Sequence, residues 1–311
     1  MIASVRLPER PPLYLHLPKL VAALLLAFAA TVPAIAEPVS SSKTSGGRSA
    51  WLWDDLVWRQ HADALLTQAQ DLKIGTLYIT LEIRNDQVRH AAALRTFLRK
   101  AHGRGVSVLA VEGDPHFVFP DGRAHAVARA KVIRAWQASA RTGEQLDGLQ
   151  YDIEPYVLPD FSVDDPDDLA AWRDTFRALR RAYGQRLDIV FPFWVANTPR
   201  GANFVRQTAA DARSYATMAY RTTVPRIIDA ATPLLDLGTE LNRPVRVALE
   251  NGPTSEGPGV SFEGDLPALL KAMKQARPTL AAKPGFGGFA IHGITWPGQT
   301  RSTTPRGKET P

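Results

Sequence analysis

Asp147-Gly148-Leu149-Gln150-Tyr151-Asp152-Ile153-Glu154-Pro155-Tyr156 alternates apolar and polar residues with a period of two, the pattern of a strand with unlike faces. Leu149, Tyr151 and Ile153 share one face; Gln150, Asp152 and Glu154 share the other. Alternate residues of a strand are about 7 Å apart, so Asp152 and Glu154 project side by side from one edge of the sheet. Pro155 has no amide hydrogen to give to a ladder and ends the strand, leaving Glu154 at its carboxyl-terminal lip. A lip carboxylate with a second one beneath it is a natural acid/base device.

Working outward, strand patterns alternate with helical ones. Trp51–Trp53 opens as a short strand, and a helical pattern follows over Trp58–Leu72. Thr76–Ile83 alternates again, with Leu77, Ile79, Leu81 and Ile83 against Tyr78, Thr80 and Glu82. Helices are expected over His90–His102, stopped by Gly103, and from Arg123 to Ala140, with a strand at Val106–Val111 between them. Asp165-Pro166 supplies a cap and a first-turn proline for a helix over Asp167–Tyr183. Further strands are expected at Leu187–Phe191, Tyr215–Tyr220, Val245–Glu250 and Gly288–Trp296, with helices near Ala202–Ala212, Val224–Leu241 and Leu266–Gln275 between them. Eight strand-helix units over about 245 residues, with only the last helix missing, predict an α/β fold consisting of a single (β/α)₈ TIM barrel. A doubly wound open sheet is the competing arrangement, and no Gly-rich nucleotide fingerprint follows any strand to support it.

Barrel active sites gather at the carboxyl ends of the strands. Those positions here carry Asp54, Asp55, Glu82, Arg84, Glu112, Asp114, Asp152, Glu154, Trp194, Asn197, Tyr220, Arg221, Glu250, Asn251, His292 and Trp296. Alternation sets Glu250 on the face of Arg246 and Ala248, pointing inward. Tyr156, Trp194 and Trp296 come from three loops and offer aromatic faces of the kind that sugar clefts use. His292 shares the parity of Trp296 and faces the rim, as a satisfied core histidine or a substrate contact. No spaced histidine pair supports a metal site, and no cofactor is expected.

The segment Asp147-Gly148-x-Gln150-x-Asp152-x-Glu154 resembles the fourth-strand pattern Asp-Gly-x-Asp-x-Asp-x-Glu of family-eighteen glycoside hydrolases, the chitinases. The resemblance implies that Glu154 protonates the glycosidic oxygen and that Asp152 orients an N-acetyl group of the substrate. Met218-Ala219-Tyr220 is similar to that family's sixth-strand Met-x-Tyr, which implies that the Tyr220 hydroxyl supports the same group, and Trp296 stands where the family has a tryptophan flooring the sugar. Gln150 replaces the first Asp of the pattern, Arg221 replaces the Asp after the Tyr, and the third-strand Ser-x-Gly-Gly is absent. Glu154-Pro155 together with Glu250 also resembles the retaining barrel glycosidases that carry Asn-Glu-Pro on strand four and a nucleophilic Glu on strand seven; Ile153 stands in place of the Asn. Retaining enzymes hold the two carboxyls about 5–5.5 Å apart and inverting ones about 6.5–9.5 Å. Both resemblances imply a glycoside hydrolase with Glu154 as general acid, acting on a carbohydrate substrate. A non-catalytic carbohydrate-binding barrel is the alternative, and a metal-dependent hydrolase or lyase on the same scaffold is a third.

The chain has 311 residues, no cysteine and a formal charge of +6. Arg6, Arg10 and Lys19 precede an apolar run from Leu20 to Val32 and then Ala34-Ile35-Ala36, the order of a secretory signal peptide over residues 1–36. Periplasmic or secreted localisation is the expectation, with no membrane attachment after cleavage. Residues 37–50 are Ser/Gly-rich and 297–311 are Pro/Thr-rich; both read as disordered flanks of a domain over 51–296. Without these ends the charge falls near +1, which removes the basic footprint of nucleic-acid binding. The absence of cysteine excludes disulfides and thiolate metal sites. The missing final helix leaves one flank of the barrel to be covered by the N-terminal flank or by a partner subunit, as in a homodimer.

Overall fold

The computed structural model describes residues 47–299. The expected signal peptide and most of both flanks lie outside the described residues.

In chain order the elements are β1 (Arg48–Leu52), α1 (Asp55–Gln60), α2 (Ala62–Asp71), β2 (Ile74–Ile79), β3 (Ile83–Arg84), β4 (Gln87–Val88), α3 (Ala91–Gly103), β5 (Ser107–Glu112), α4 (Pro120–Ser139), β6 (Gly148–Tyr151), α5 (Pro166–Tyr183), β7 (Leu187–Pro192), α6 (Pro199–Thr208), β8 (Ala212–Met218), α7 (Val224–Glu240), β9 (Val245–Glu250), α8 (Leu266–Ala281) and β10 (Phe286–His292). Eight parallel strands close a barrel in the order β1-β2-β5-β6-β7-β8-β9-β10, and β10 pairs back onto β1. This is the expected (β/α)₈ barrel. Among the described residues no helix follows β10, as the sequence predicts. No helix among them is long and apolar enough to cross a membrane.

The period-two pattern of the strands divides two apolar layers. Leu149, Tyr151 and Ile153 of the β6 stretch face the helices and join the large outer core with Trp172, Phe176 and Phe191. The opposite faces fill the barrel with Trp51, Tyr78, Leu109, Val111, Val190, Ala216, Met218, Ala248 and Ala290. Side chains on alternate strand positions belong to opposite layers, so parity alone decides whether a strand residue can reach the mouth.

Several boundaries differ from the sequence-based expectation. β1 starts at Arg48, inside the stretch read as a flank. The helical pattern after Trp58 divides at His61, which closes α1 and opens α2. β2 ends at Ile79, four residues early. Beyond it Asn85 and Asp86 adopt φ +52° and +54° and fold β3 onto β4 as a tight antiparallel hairpin, because two left-handed central residues match the twist of paired strands. Asp165 caps α5 through the Asp167 amide at 2.8 Å, with Pro166 in its first turn, as expected.

Candidate active site

Gln150 lies one layer below the carboxylates and is buried. It accepts a hydrogen bond of 2.7 Å from Trp51 Nε1, and Trp51 stacks on Tyr78 with centroids 5.2 Å apart. These three side chains close the middle of the barrel, so the mouth above has a floor of amide and indole.

Asp152 stands on that floor. Its backbone amide still bonds the Glu112 carbonyl at 2.9 Å, one step past the end of β6. Gly113 allows this approach, since a Cβ there would overlap the Asp152 carbonyl oxygen. One Asp152 carboxyl oxygen is enclosed without a hydrogen-bond partner. Burial, and then the neighbouring Glu154 charge, raise its pKa to about 8, against a smaller opposing pull from His292. Asp152 therefore holds a proton near neutrality, and a neutral carboxyl can donate one.

Glu154 is half-buried at the lip and accepts a hydrogen bond of 2.7 Å from the Tyr156 hydroxyl on Oε2. Burial pushes its pKa up; the Tyr156 bond and His292 pull it part of the way back. Tyr156 packs edge-on against Trp194 at 5.0 Å, and its hydroxyl is itself pushed far above the phenol range by burial and by Glu154. A carboxyl raised in this way is suited to give a proton to a leaving oxygen.

Across the mouth, His292 at the end of β10 donates or accepts at both ring nitrogens. Nδ1 contacts Glu250 Oε2, and Trp53 Nε1 lies 2.7 Å from Nε2. An indole N–H can only donate, so Nε2 carries a lone pair and the ring is the neutral Nδ1–H tautomer. Burial lowers the pKa of His292, while Glu250, Asp152 and Glu154 together outweigh it and raise it. The donor-only contact of Trp53 opposes that rise, because it uses the lone pair on Nε2 that a second proton would take. Tyr220 stacks on the imidazole at 6.1 Å and 23°, and its hydroxyl is pushed well up by burial and the surrounding carboxylates. Glu250 Oε1 accepts the Gly252 amide, so both oxygens of Glu250 are engaged.

The comparisons agree with this fold. A chitinase of glycoside hydrolase family 18 from Pseudoalteromonas aurantia superposes with a TM-score of 0.55 at 10% identity, over 80% of this chain and 94% of that one. A GH113 β-1,4-mannanase gives 0.54 at 11%, over 80% and 87%, and a GH5-4 broad specificity endoglucanase from an uncultured bacterium gives 0.53 at 9%, over 74% and 76%. The chain resembles the TIM-barrel glycoside hydrolases. No protein-family profile and no curated protein matches it.

Within this glycoside hydrolase-like barrel, the structure brings together Asp152, Glu154, Tyr156, Trp194, Tyr220, Glu250 and His292, with Arg221 at the edge, over the Phe193 ring at 4.3 Å. It leaves others aside. Glu112 shares the parity of Val108 and Ala110, faces outward, and is buried against Arg129 of α4 with contacts of 2.6 and 2.8 Å. Glu82, carried past the early end of β2, bonds Arg84 at 2.9 Å and His90 at 3.2 Å in a surface cluster. Trp296 lies four residues beyond β10, after the left-handed Gly293, and is buried in the outer core with its N–H given to the Trp51 carbonyl at 3.1 Å. It does not floor the mouth. Asn197 is exposed at the end of the short turn before α6. Trp53 was not singled out from sequence. Trp53 shares the inward parity of Trp51, which was the available signal. Asn251 reaches His292 only through its backbone, at 3.0 Å to the carbonyl. Among the described residues no group of three or more His, Asp or Glu is arranged to hold a metal ion.

Proposed function

We propose that the protein is an exported glycoside hydrolase in which Glu154 protonates the glycosidic oxygen of a polysaccharide or glycoconjugate. The observation that carries this reading is the pairing of Glu154 with Asp152 at the mouth, both carboxyls raised by burial and Glu154 aimed by Tyr156. Asp152, protonated, is placed to hydrogen-bond a substrate group beside the scissile bond, and the raised, protonated hydroxyl of Tyr220 faces the same space. Glu250 acts through His292: with one oxygen taken by Gly252 and the other by the imidazole, it orients that ring rather than attacking the sugar. Tyr156 and Trp194 supply aromatic faces to the sugar.

A carbohydrate-binding barrel without catalysis is the second reading, and one observation favours it. Gln150, bound to Trp51, occupies the level where a further carboxyl would exchange a proton with Asp152. Release of reducing ends from chitin, bacterial exopolysaccharides and aryl glycosides separates the two. Hydrolysis that falls at least about a hundredfold in Glu154→Gln supports general acid catalysis there; hydrolysis that survives removes Glu154 from the reaction. Saturable sugar binding with no hydrolysis in either protein supports the binding barrel.

A further inference from the structure

Arg221 follows directly on Tyr220, the residue whose ring lies against His292. Its guanidinium is held from two sides: Nη1 donates to the Tyr220 carbonyl at 2.7 Å, and Cζ lies over Phe193, 4.3 Å from the ring centroid. A guanidinium fixed over an aromatic face keeps the rest of its five donors in a rigid fork suited to an oxyanion. Arg226, in the first turn of α7, brings a second guanidinium beside Gly259 of the β9–α8 loop, and that loop is tied to the same segment by the Thr222 amide bonding the Gly259 carbonyl at 3.2 Å.

The two cations disfavour one another. Burial, then the charge of Arg226, lower the pKa of Arg221, and only Glu256 acts in the opposite direction. Neither arginine has an ion-pair partner among the described residues, whereas Arg129, Arg206 and Arg213 each face a carboxylate through two nitrogens. Two neighbouring guanidiniums with no carboxylate bonded to either are free to take a negative group between them. Among the described residues Glu256 is the one acid that acts on Arg221, and no hydrogen bond or ion pair ties it to either guanidinium.

We infer that Arg221 and Arg226 form a subsite for an anionic substituent of the glycan, so that the substrate is an acidic polysaccharide carrying carboxylate, sulfate or phosphate-ester groups. This rests on the reading that the mouth accepts a carbohydrate. The positive pair selects the sugar unit next to the carboxylates by its charge, while Tyr156 and Trp194 accept its neutral faces.

The test uses calorimetric titration of the mature protein, carrying Glu154→Gln to prevent turnover, with matched oligosaccharides. Oligogalacturonate is paired with its carboxyl-reduced form, chondroitin sulfate oligosaccharide with its desulfated form, and a phosphorylated mannan oligosaccharide with its dephosphorylated form. At least one anionic member is expected to bind about tenfold or more tightly than its neutral partner, with a preference that shrinks as salt rises. Arg221→Gln and Arg226→Gln are each expected to reduce the preference severalfold, while Arg221→Lys retains part of it. The salt dependence is read on the protein with both arginines intact, so it stands even where a variant is poorly folded. Equal binding of both members of all three pairs, no binding of any anionic member, or a preference unchanged in both arginine variants would overturn the inference. Charge-selective binding without reducing-end release by the Glu154 protein would leave the subsite standing and remove the glycosidase reading. Hydrolysis of neutral glycans without charge preference would do the reverse.

Discussion

The indole N–H of Trp53 meets Nε2 of His292 at 2.7 Å, and this contact favours the neutral form of the ring whose Nδ1 bonds Glu250. Because tryptophan has no lone pair to offer, protonating His292 breaks the contact.

Trp53→Phe is therefore expected to raise the pKa of His292. The substitution keeps an aromatic body and removes the donor that favours neutral imidazole. A nitrogen-15 NMR titration of the histidine ring reads this directly, as a midpoint displaced to higher pH with Nδ1 still the protonated nitrogen in the neutral form. An unchanged midpoint would show that Trp53 does not hold the lone pair.

Tyr156→Phe should displace the alkaline limb of the activity profile to higher pH. The Tyr156 hydroxyl stabilises ionised Glu154, and its loss leaves the upward push of burial less opposed. A general acid works while protonated, so activity persists further into the alkaline range. A limb that moves down, or not at all, while Glu154→Gln abolishes activity, would separate Tyr156 from the titration of Glu154.

Asp152→Asn should stabilise the fold toward alkaline pH. With a folded pKa near 8 and an unfolded one near 3.9, the native state binds more protons than the unfolded state between those values. The native protein thus loses stability as pH rises from about 4 to about 8, whereas the Asn variant has no proton to lose there. The gap is expected to grow across that window to the order of a few kcal/mol. Parallel urea denaturation at pH 4 and pH 8 measures it; an equal difference at both pH values would mean that Asp152 is not held protonated.

Glu112→Gln is expected to cost about 3–5 kcal/mol, because it leaves the Arg129 guanidinium without its buried carboxylate. The double replacement Glu112→Leu with Arg129→Met should recover much of that loss, since both charges leave together. Chemical denaturation checks both. A Glu112→Gln variant as stable as the parent would return Glu112 to the list of residues free for substrate.

Gln150→Leu removes the acceptor of the Trp51 N–H inside the barrel. An orphaned buried donor costs about 1–3 kcal/mol, and a fall of that size in unfolding free energy is the expected result.

The sequence by itself determined the barrel and its parity. Period-two runs such as Leu149-Gln150-Tyr151-Asp152 and Arg246-Val247-Ala248 carry their own inside and outside, because successive side chains of a strand leave opposite faces whatever the rest of the chain does. Hence Asp152, Glu154, Tyr220, Glu250 and His292 were legible as neighbours at the mouth. The parity of Val108, Ala110 and Glu112 was equally legible and argues for the outer face that Glu112 takes. Only the tertiary structure decided what depends on where strands stop and what crosses the mouth. β2 ends at Ile79 because the Asn85-Asp86 turn draws the following residues into a hairpin, and Glu82 goes with it. β10 ends at His292, so Trp296 turns back into the core. The fixed tautomer of His292, the engagement of both Glu250 oxygens, and the meeting of Arg221 with Phe193 join residues separated by 239, 42 and 28 positions. No local pattern encodes such distances: closure of the barrel brings these side chains to one rim, and burial there sets their charges.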